Sequence, residues 1–214
     1  MQYKLIIRAS AVISLTMAAL AGATAVNAEE VSRDSGVTNS VTKINKECEA
    51  AIRDAGTRVL KGNALESCKT VVTTQVSAAR PVTLREISEL RDLMESSDYQ
   101  ALSRAVAAGT VKTKDFYQNS RHVASTLTQR GTFYFDGARV WLSSPYRGFT
   151  GSHYCQVDWV AGFTIQIQNC YDTGSTTSRT VIQQWQVSPY LGGFPVSWSE
   201  SYSIQIFSDG TVKY

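Results

Sequence analysis

The spacing of hydrophobic positions changes along the chain. An apolar run, AVISLTMAALAGATAV, occupies 11–26, and the polar stretch EEVSRDSGVTNSVT that follows has no periodicity. That stretch predicts a flexible arm over 29–42. Ile44, Cys48, Ile52, Ala55 and Val59 then recur at three- and four-residue steps, one face of a helix, until Gly62 and Asn63 end the pattern. TVVTTQV at 70–76 is β-branched and reads as a strand. After Pro81, Thr83 with Glu86 fits a capping box, and Leu84, Ile87, Leu90 and Met94 stripe a helix over 83–95. Ser97 with Gln100 offers a second box for a helix over 98–108, closed by Gly109.

Beyond Gly109 the period shortens to that of strands. VASTLTQ suggests an entering strand within 110–130, and from Gly131 onward strand and turn signals alternate. Asp136 with Gly137 is the strongest short hairpin signal. A two-residue turn there pairs Phe135 with Ala138, Phe133 with Val140 and Gly131 with Leu142, which makes one face apolar. Tyr134, Arg139 and Trp141 share the opposite face. They are a candidate binding surface for a sugar or peptide, or a solvated cation–π group.

GSHYCQVDWVAGFTIQIQNCY, 151–171, reads as a second hairpin, turning at Ala161 and Gly162 and closed by a disulfide. Its parity is in conflict. Cys155, Val157 and Trp159 share one face, and Phe163, Ile165 and Ile167 form the apolar set of the next strand, but Cys170 has the other parity. A three-residue loop with a β-bulge near Asn169 buries one apolar face and still lets the cysteines meet. Further on, Val196, Trp198, Tyr202, Ile204 and Ile206 alternate with serines and Gln205. Glu200 falls on the apolar side. It calls for a buried partner such as Arg139, Arg147 or Arg179, or for a strand bend.

The chain start changes the cellular picture. A basic MQYKLIIR, the apolar run and the small exit Asn27 and Ala28 together predict a secretory signal peptide over 1–28. Ser14, Thr16, Gly22 and Thr24 thin the run and Glu29 and Glu30 follow it, so a stable membrane anchor is not expected. The formal charge is +3, and Lys4 and Arg8 leave with the signal. A near-neutral product has no electrostatic case for nucleic acid. Four cysteines in an exported chain predict two disulfides. Three pairings are open, of which the local one is Cys48–Cys68 with Cys155–Cys170. A zinc site fails on spacing, because no CxxC occurs and His122 and His153 are not placed as a ligand pair. No metal or cofactor is expected.

Catalytic motifs are not recognisable. Glu200 and Asp158 are the one carboxylate pair in the β part to weigh for glycoside hydrolysis, and nothing in their spacing brings them together. Ser152 and His153 are adjacent and point to opposite strand faces, no GxSxG occurs, and His153 reads as an exposed residue. Recognition remains. All four tryptophans lie beyond Gly131, where strands alternate with Ser, Thr and Gln.

The fold class expected is α+β, a helical segment followed by an antiparallel β-sandwich or barrel-like domain. The segments are 1–28 signal, 29–42 arm, 43–109 helical region, 110–130 linker or entering strand, and 131–214 antiparallel β domain. With GTFYFDGARVW, YRGFTGSHYC and DTGSTTSRT in its β end, this plan resembles small secreted proteins of Gram-positive actinobacteria. In size and layout it is similar to the large, unmodified exported bacteriocins of dairy propionibacteria. The resemblance implies a secreted, non-enzymatic antibacterial protein acting on the envelopes of competing bacteria, and assigns no residue roles. The other expectation is an extracellular binding module or enzyme inhibitor that recognises cell-wall glycan or a protease. Partners are therefore a bacterial envelope or an extracellular protein or glycan. The sequence does not set the oligomeric state.

Overall fold

Alternating residues bury one side of most strands, and two antiparallel sheets result. A computed structural model describes residues 36–54, 66, 68–146, 148–191, 194–195 and 197–214. The first sheet contains β1 (Val37–Ile44), β2 (Lys69–Val76), β3 (Arg80–Pro81), β4 (Lys112–Arg121), β5 (Ser125–Phe135), β6 (Val140–Trp141) and β7 (Ser152–Val160). Its order is β1-β2-β4-β5-β6, with β3 against β4 and β7 against β5. The second contains β8 (Phe163–Gly174), β9 (Ser178–Leu191), β10 (Phe194–Pro195), β11 (Trp198–Phe207) and β12 (Val212–Lys213). Its order is β10-β9-β11-β12, with β8 against β9. Among the described residues helices are few: α1 (Lys46–Asp54), α2 (Leu84–Ser88) and α3 (Ser96–Ala107).

The core lies between the sheets. Phe116, Phe133 and Phe135 of the first meet Val181, Ile204 and Ile206 of the second, and Val72 and Leu127 meet Trp185 and Tyr202. Full burial of each such side chain is worth about 1.5–3 kcal/mol. The arrangement is compatible with a β-sandwich. On the outside, α2 and α3 cover Trp141 and Phe149 through Ile87, Leu102 and Val106. α1 packs its Cys48 and Ile52 against Val187 and Trp198.

Several expectations change here. Residues 37–42 are not an arm but most of β1, paired with β2 along its whole length. Val37, Val41 and Ile44 on that strand are exposed, so backbone pairing holds it and side-chain periodicity could not reveal it. The described residues fall in one compact unit, and β4 and β5 run through 110–130, so no domain boundary lies there. The region 43–109 is only partly helical, since β2 and β3 interrupt it, and β2 is the strand read from TVVTTQV. Helix α2 keeps its Thr83–Glu86 capping box but stops at Ser88. Short i→i+3 turns then carry Leu90 and Met94 into the same cluster. Helix α3 starts at Ser96 with no side-chain cap at Glu95, so the Ser97 box does not form there. The signal peptide and the helix end near Gly62 lie outside the described residues.

The stretch 151–171 is the largest correction. β7 pairs with β5 and β8 pairs with β9, so the two strands belong to different sheets and form no hairpin. The chain crosses between sheets at Ala161 and Gly162, where φ of Gly162 is +70°. Cys155–Cys170 closes that crossing, with Cα atoms 6.0 Å apart, and Cys48–Cys68 is the other disulfide. The bulge is where parity requires it. The β8 register slips between Ile167 and Asn169, leaving Gln168 unpaired. Without it Cys170 would oppose Ile182 on the outer face; with it Cys170 opposes Gln183, which is fully buried. A lost ladder bond costs about 1 kcal/mol net, whereas a disulfide contributes about 2–4 kcal/mol, so the bond prevails. Deleting Gln168 removes the extra residue and leaves a regular ladder in which Cys170 still opposes Gln183, so both disulfides are expected to form, with no free thiol by intact mass after alkylation. Two free thiols per chain in that variant would show that Gln168 does not serve merely to correct the parity of Cys170.

Candidate binding face

The DG hairpin forms, with a register two residues from the expected one. Phe135 pairs with Val140 and Tyr134 with Trp141. Asp136 Oδ1 accepts from the backbone N–H of Ala138 and Arg139, at 3.0 and 2.7 Å, which closes a four-residue loop. A slip of two preserves faces, so Phe133, Phe135, Val140 and Leu142 still enter the core.

The opposite face is not open. Trp141 is only 4% exposed, and its ring lies 5.9 Å from Tyr134 and 5.1 Å from Tyr146. Tyr134 is half-buried, and burial pushes its phenol up. Arg139 is exposed and stacks over Tyr146 instead, 4.6 Å from the ring centroid. Arg139 and Trp141 line a cavity of about 290 Å³ with Arg179, and Tyr134 is not part of that lining. Arg179 is already committed to Asp172 through Nε, 2.9 Å, and Nη2. The expected trio is thus not a shared contact surface, because α2 and α3 cover its aromatic half.

Glu200 is buried with a partner that was not foreseen. Its Oε2 lies 3.1 Å from His122 Nε2. Tyr202 donates its hydroxyl at 2.6 Å and Trp198 its Nε1–H at 2.8 Å, while His122 Nδ1 and Thr70 Oγ1 are 3.0 Å apart. Burial pushes the Glu200 carboxyl up, but His122, Tyr202 and Trp198 outweigh it and hold it below its ordinary value. Glu200 and Asp158 share no face: Glu200 points inward from the second sheet, and Asp158 is exposed on the first. Ser152 Oγ accepts from Thr132 N–H at 3.2 Å, whereas His153 turns inward beside Phe116 and Gln129. No hydrolytic triad forms from them. His153 is half-buried rather than exposed, and burial lowers its pKa.

The outer face of β4, β5 and β7 carries exposed rings around a hydrogen-bonded floor. A register slip between Thr126 and Leu127 leaves Asp158 as a bulge on β7. Cys155 and Val157 point inward, but Trp159 opposes Thr126 and emerges 52% exposed. Tyr154, 62% exposed, stands beside Arg130, and Tyr117, 38% exposed, is on its other side. Between these rings lies a hydrogen-bonded floor. Asn119 Nδ2 donates to Tyr117 Oη at 3.4 Å and to Thr128 Oγ1 at 3.3 Å. Thr128 and Gln156 both donate to Asp158, which fixes the bulge. Sequence alternation placed Trp159 with the inward set; only the Thr128–Asp158 contact, between strands remote in sequence, could have revealed the flip. Compared with known proteins, the chain matches no family model, no curated protein and no solved structure.

The buried cluster sets an acid limit. The Glu200 carboxyl titrates lower in the folded chain than in the unfolded one, whose reference value is 4.5. Its contribution is complete above that reference value and is lost as pH falls through the folded one, because only the unfolded state takes up the proton. Glu200→Ala, which strands His122, Trp198 and Tyr202, is expected to cost about 3–5 kcal/mol in denaturant unfolding at neutral pH. It should also flatten the acid limb. A variant as stable as the parent would show that the pair is not holding the sheets.

Proposed function

We propose that the protein is an exported, non-enzymatic β-sandwich protein that binds the envelope of bacteria through the outer face of β4, β5 and β7. The observation that carries this is the pair of exposed rings, Tyr154 and Trp159, on either side of the ordered floor of Asn119, Thr128, Gln156 and Asp158. The rings are separated along β7 by roughly 13 Å of strand, long enough to lie along several sugar units of an extended chain. Rings offer an apolar body for a sugar face, and amide and carboxylate groups already fixed by their neighbours pay little ordering entropy on binding. The occupant is thus a neutral or zwitterionic envelope glycan.

Export is supported by the signal-type start and by two disulfides. Among the described residues, no helix is long and apolar enough to cross a membrane. The bacteriocin-like resemblance gives this binding an outcome, growth inhibition of related Gram-positive bacteria, which requires the same envelope contact.

Mature protein is expected to sediment with isolated Gram-positive cell walls. Trp159→Ala, an anchor worth about 2 kcal/mol, should weaken that binding by more than tenfold, with unchanged circular dichroism and both disulfides intact. Equal sedimentation of Trp159→Ala and Tyr154→Ala would exclude this face. Normal growth of a panel of related bacteria at micromolar protein would exclude the antibacterial outcome while leaving envelope binding standing.

A further inference from the structure

We propose that His153, Cys155 and Cys170 form a site for a thiophilic divalent cation, best matched to Zn(II), that opens only when the Cys155–Cys170 bond is reduced. His153 and Cys155 are two apart on β7 and both face inward, and Cys170 reaches them from β8 in the other sheet. The ligand atoms all lie within 4.8 Å of one another.

Geometry carries the proposal. Tetrahedral zinc, with Zn–S near 2.3 Å and Zn–N near 2.0–2.1 Å, has N···S edges of roughly 3.6 Å and an S···S edge of roughly 3.8 Å. His153 Nε2 lies 3.6 Å from Cys155 Sγ and 3.9 Å from Cys170 Sγ. The imidazole therefore already stands at ligand–ligand distance from both sulfurs, and only the sulfurs must separate, by side-chain rotation on two edge strands. Gln129 holds the ring, with Oε1 3.0 Å from His153 Nε2, and is itself held by Gln118 at 2.6 Å and through it by Thr74 at 2.9 Å. That contact holds the ring in place beside the sulfurs while the site is empty, and coordination through Nε2 exchanges it for the ion. Cys170 is exposed, so water can complete the fourth position. The other disulfide offers no such arrangement: Cys48 and Cys68 are fully buried in an apolar cluster.

The redox step balances with an external dithiol. One of its thiolates attacks the exposed Cys170 sulfur, the S–S bond breaks, and Cys155 leaves as a thiolate. The second thiol of the reagent then attacks the mixed disulfide, releasing Cys170, and the reagent departs as its own disulfide, two electrons poorer. Zinc binding then forms two S–Zn bonds and releases to solvent the protons still held by the two thiols.

The test is a cobalt(II) titration of the mature chain before and after mild reduction by the phosphine TCEP, with alkylation and mass mapping to show which cysteines are free. Reduced protein, with Cys155 and Cys170 free and Cys48–Cys68 intact, is expected to bind one cobalt per chain. A sulfur-to-cobalt charge-transfer band and a tetrahedral ligand-field band should appear, and zinc should abolish both. Oxidised protein should show neither band. His153→Ala retains both thiols and should bind at least about tenfold more weakly. A reduced chain that keeps its circular dichroism but shows no cobalt–sulfur band overturns the proposal. So does undiminished binding by His153→Ala, or loss of the fold on reduction, since the site requires both sheets to hold without the bond.

Discussion

Cys155 and Cys170 belong to different sheets, and one bond can join them only if both face the space between those sheets. That requirement governs the crossing strands. Strand parity sends Cys170 outward, and the extra residue Gln168 turns it back. On β7 a second extra residue, Asp158, leaves Cys155 and Val157 inside and turns the following tryptophan out. Between them the two bulges distribute side chains around the crossing. One lets the cross-link form, and the other sets an aromatic ring on the surface.

A second tie of a different kind joins the sheets. Thr70 and His122 belong to the first sheet side and Glu200, Trp198 and Tyr202 to the second, and all five are buried. Burying a carboxylate is favourable only when its charge is met, and here an imidazole and two hydrogen-bond donors meet it. Such a cluster is a poor source of net stability compared with apolar residues of equal volume. It does specify register: sliding β11 by one residue would place Glu200 among solvent-facing serines and bury Ser199 or Ser201 in its stead. The cluster thus selects among packings that the apolar layer alone would tolerate.

Much of the architecture was legible where one side of a strand is buried and the other wet. The alternation along β11, the DG turn, the capping box at Thr83 and the bulge next to Asn169 all follow from local chemistry, and both disulfides follow from the choice of near neighbours. What stayed hidden depends on partners remote in sequence. β1 carries no apolar stripe because its side chains are exposed and its backbone does the work. β7 and β8 are consecutive, so local pairing was the natural expectation, yet each has a longer apolar ladder available elsewhere, β5 and β9. Trp141 belonged to a plausible exposed face until α2 and α3, which sequence placed in a separate helical region, covered it. Glu200 was correctly singled out as needing a partner, but His122 is not among the arginines that charge alone nominated.

β7 shows why structure and recognition can be separated experimentally in this protein. Its inward residues His153, Cys155 and Val157 meet the core and the cross-link, and its outward residues Tyr154, Gln156 and Trp159 meet solvent. Neighbours on a strand share a backbone but not an environment. A substitution at Tyr154 or Trp159 removes surface that is already largely hydrated, and the apolar layer loses nothing. A substitution at Cys155 or His153 alters the space between the sheets and leaves the outer rings in place. Asp158 is the exception that couples the two faces, because the bulge it forms is what turns Trp159 outward while Val157 stays inside. If the outer face recognises an envelope glycan, Asp158 is the position at which a change in folding and a change in binding cannot be told apart, whereas Trp159 is the position at which they can.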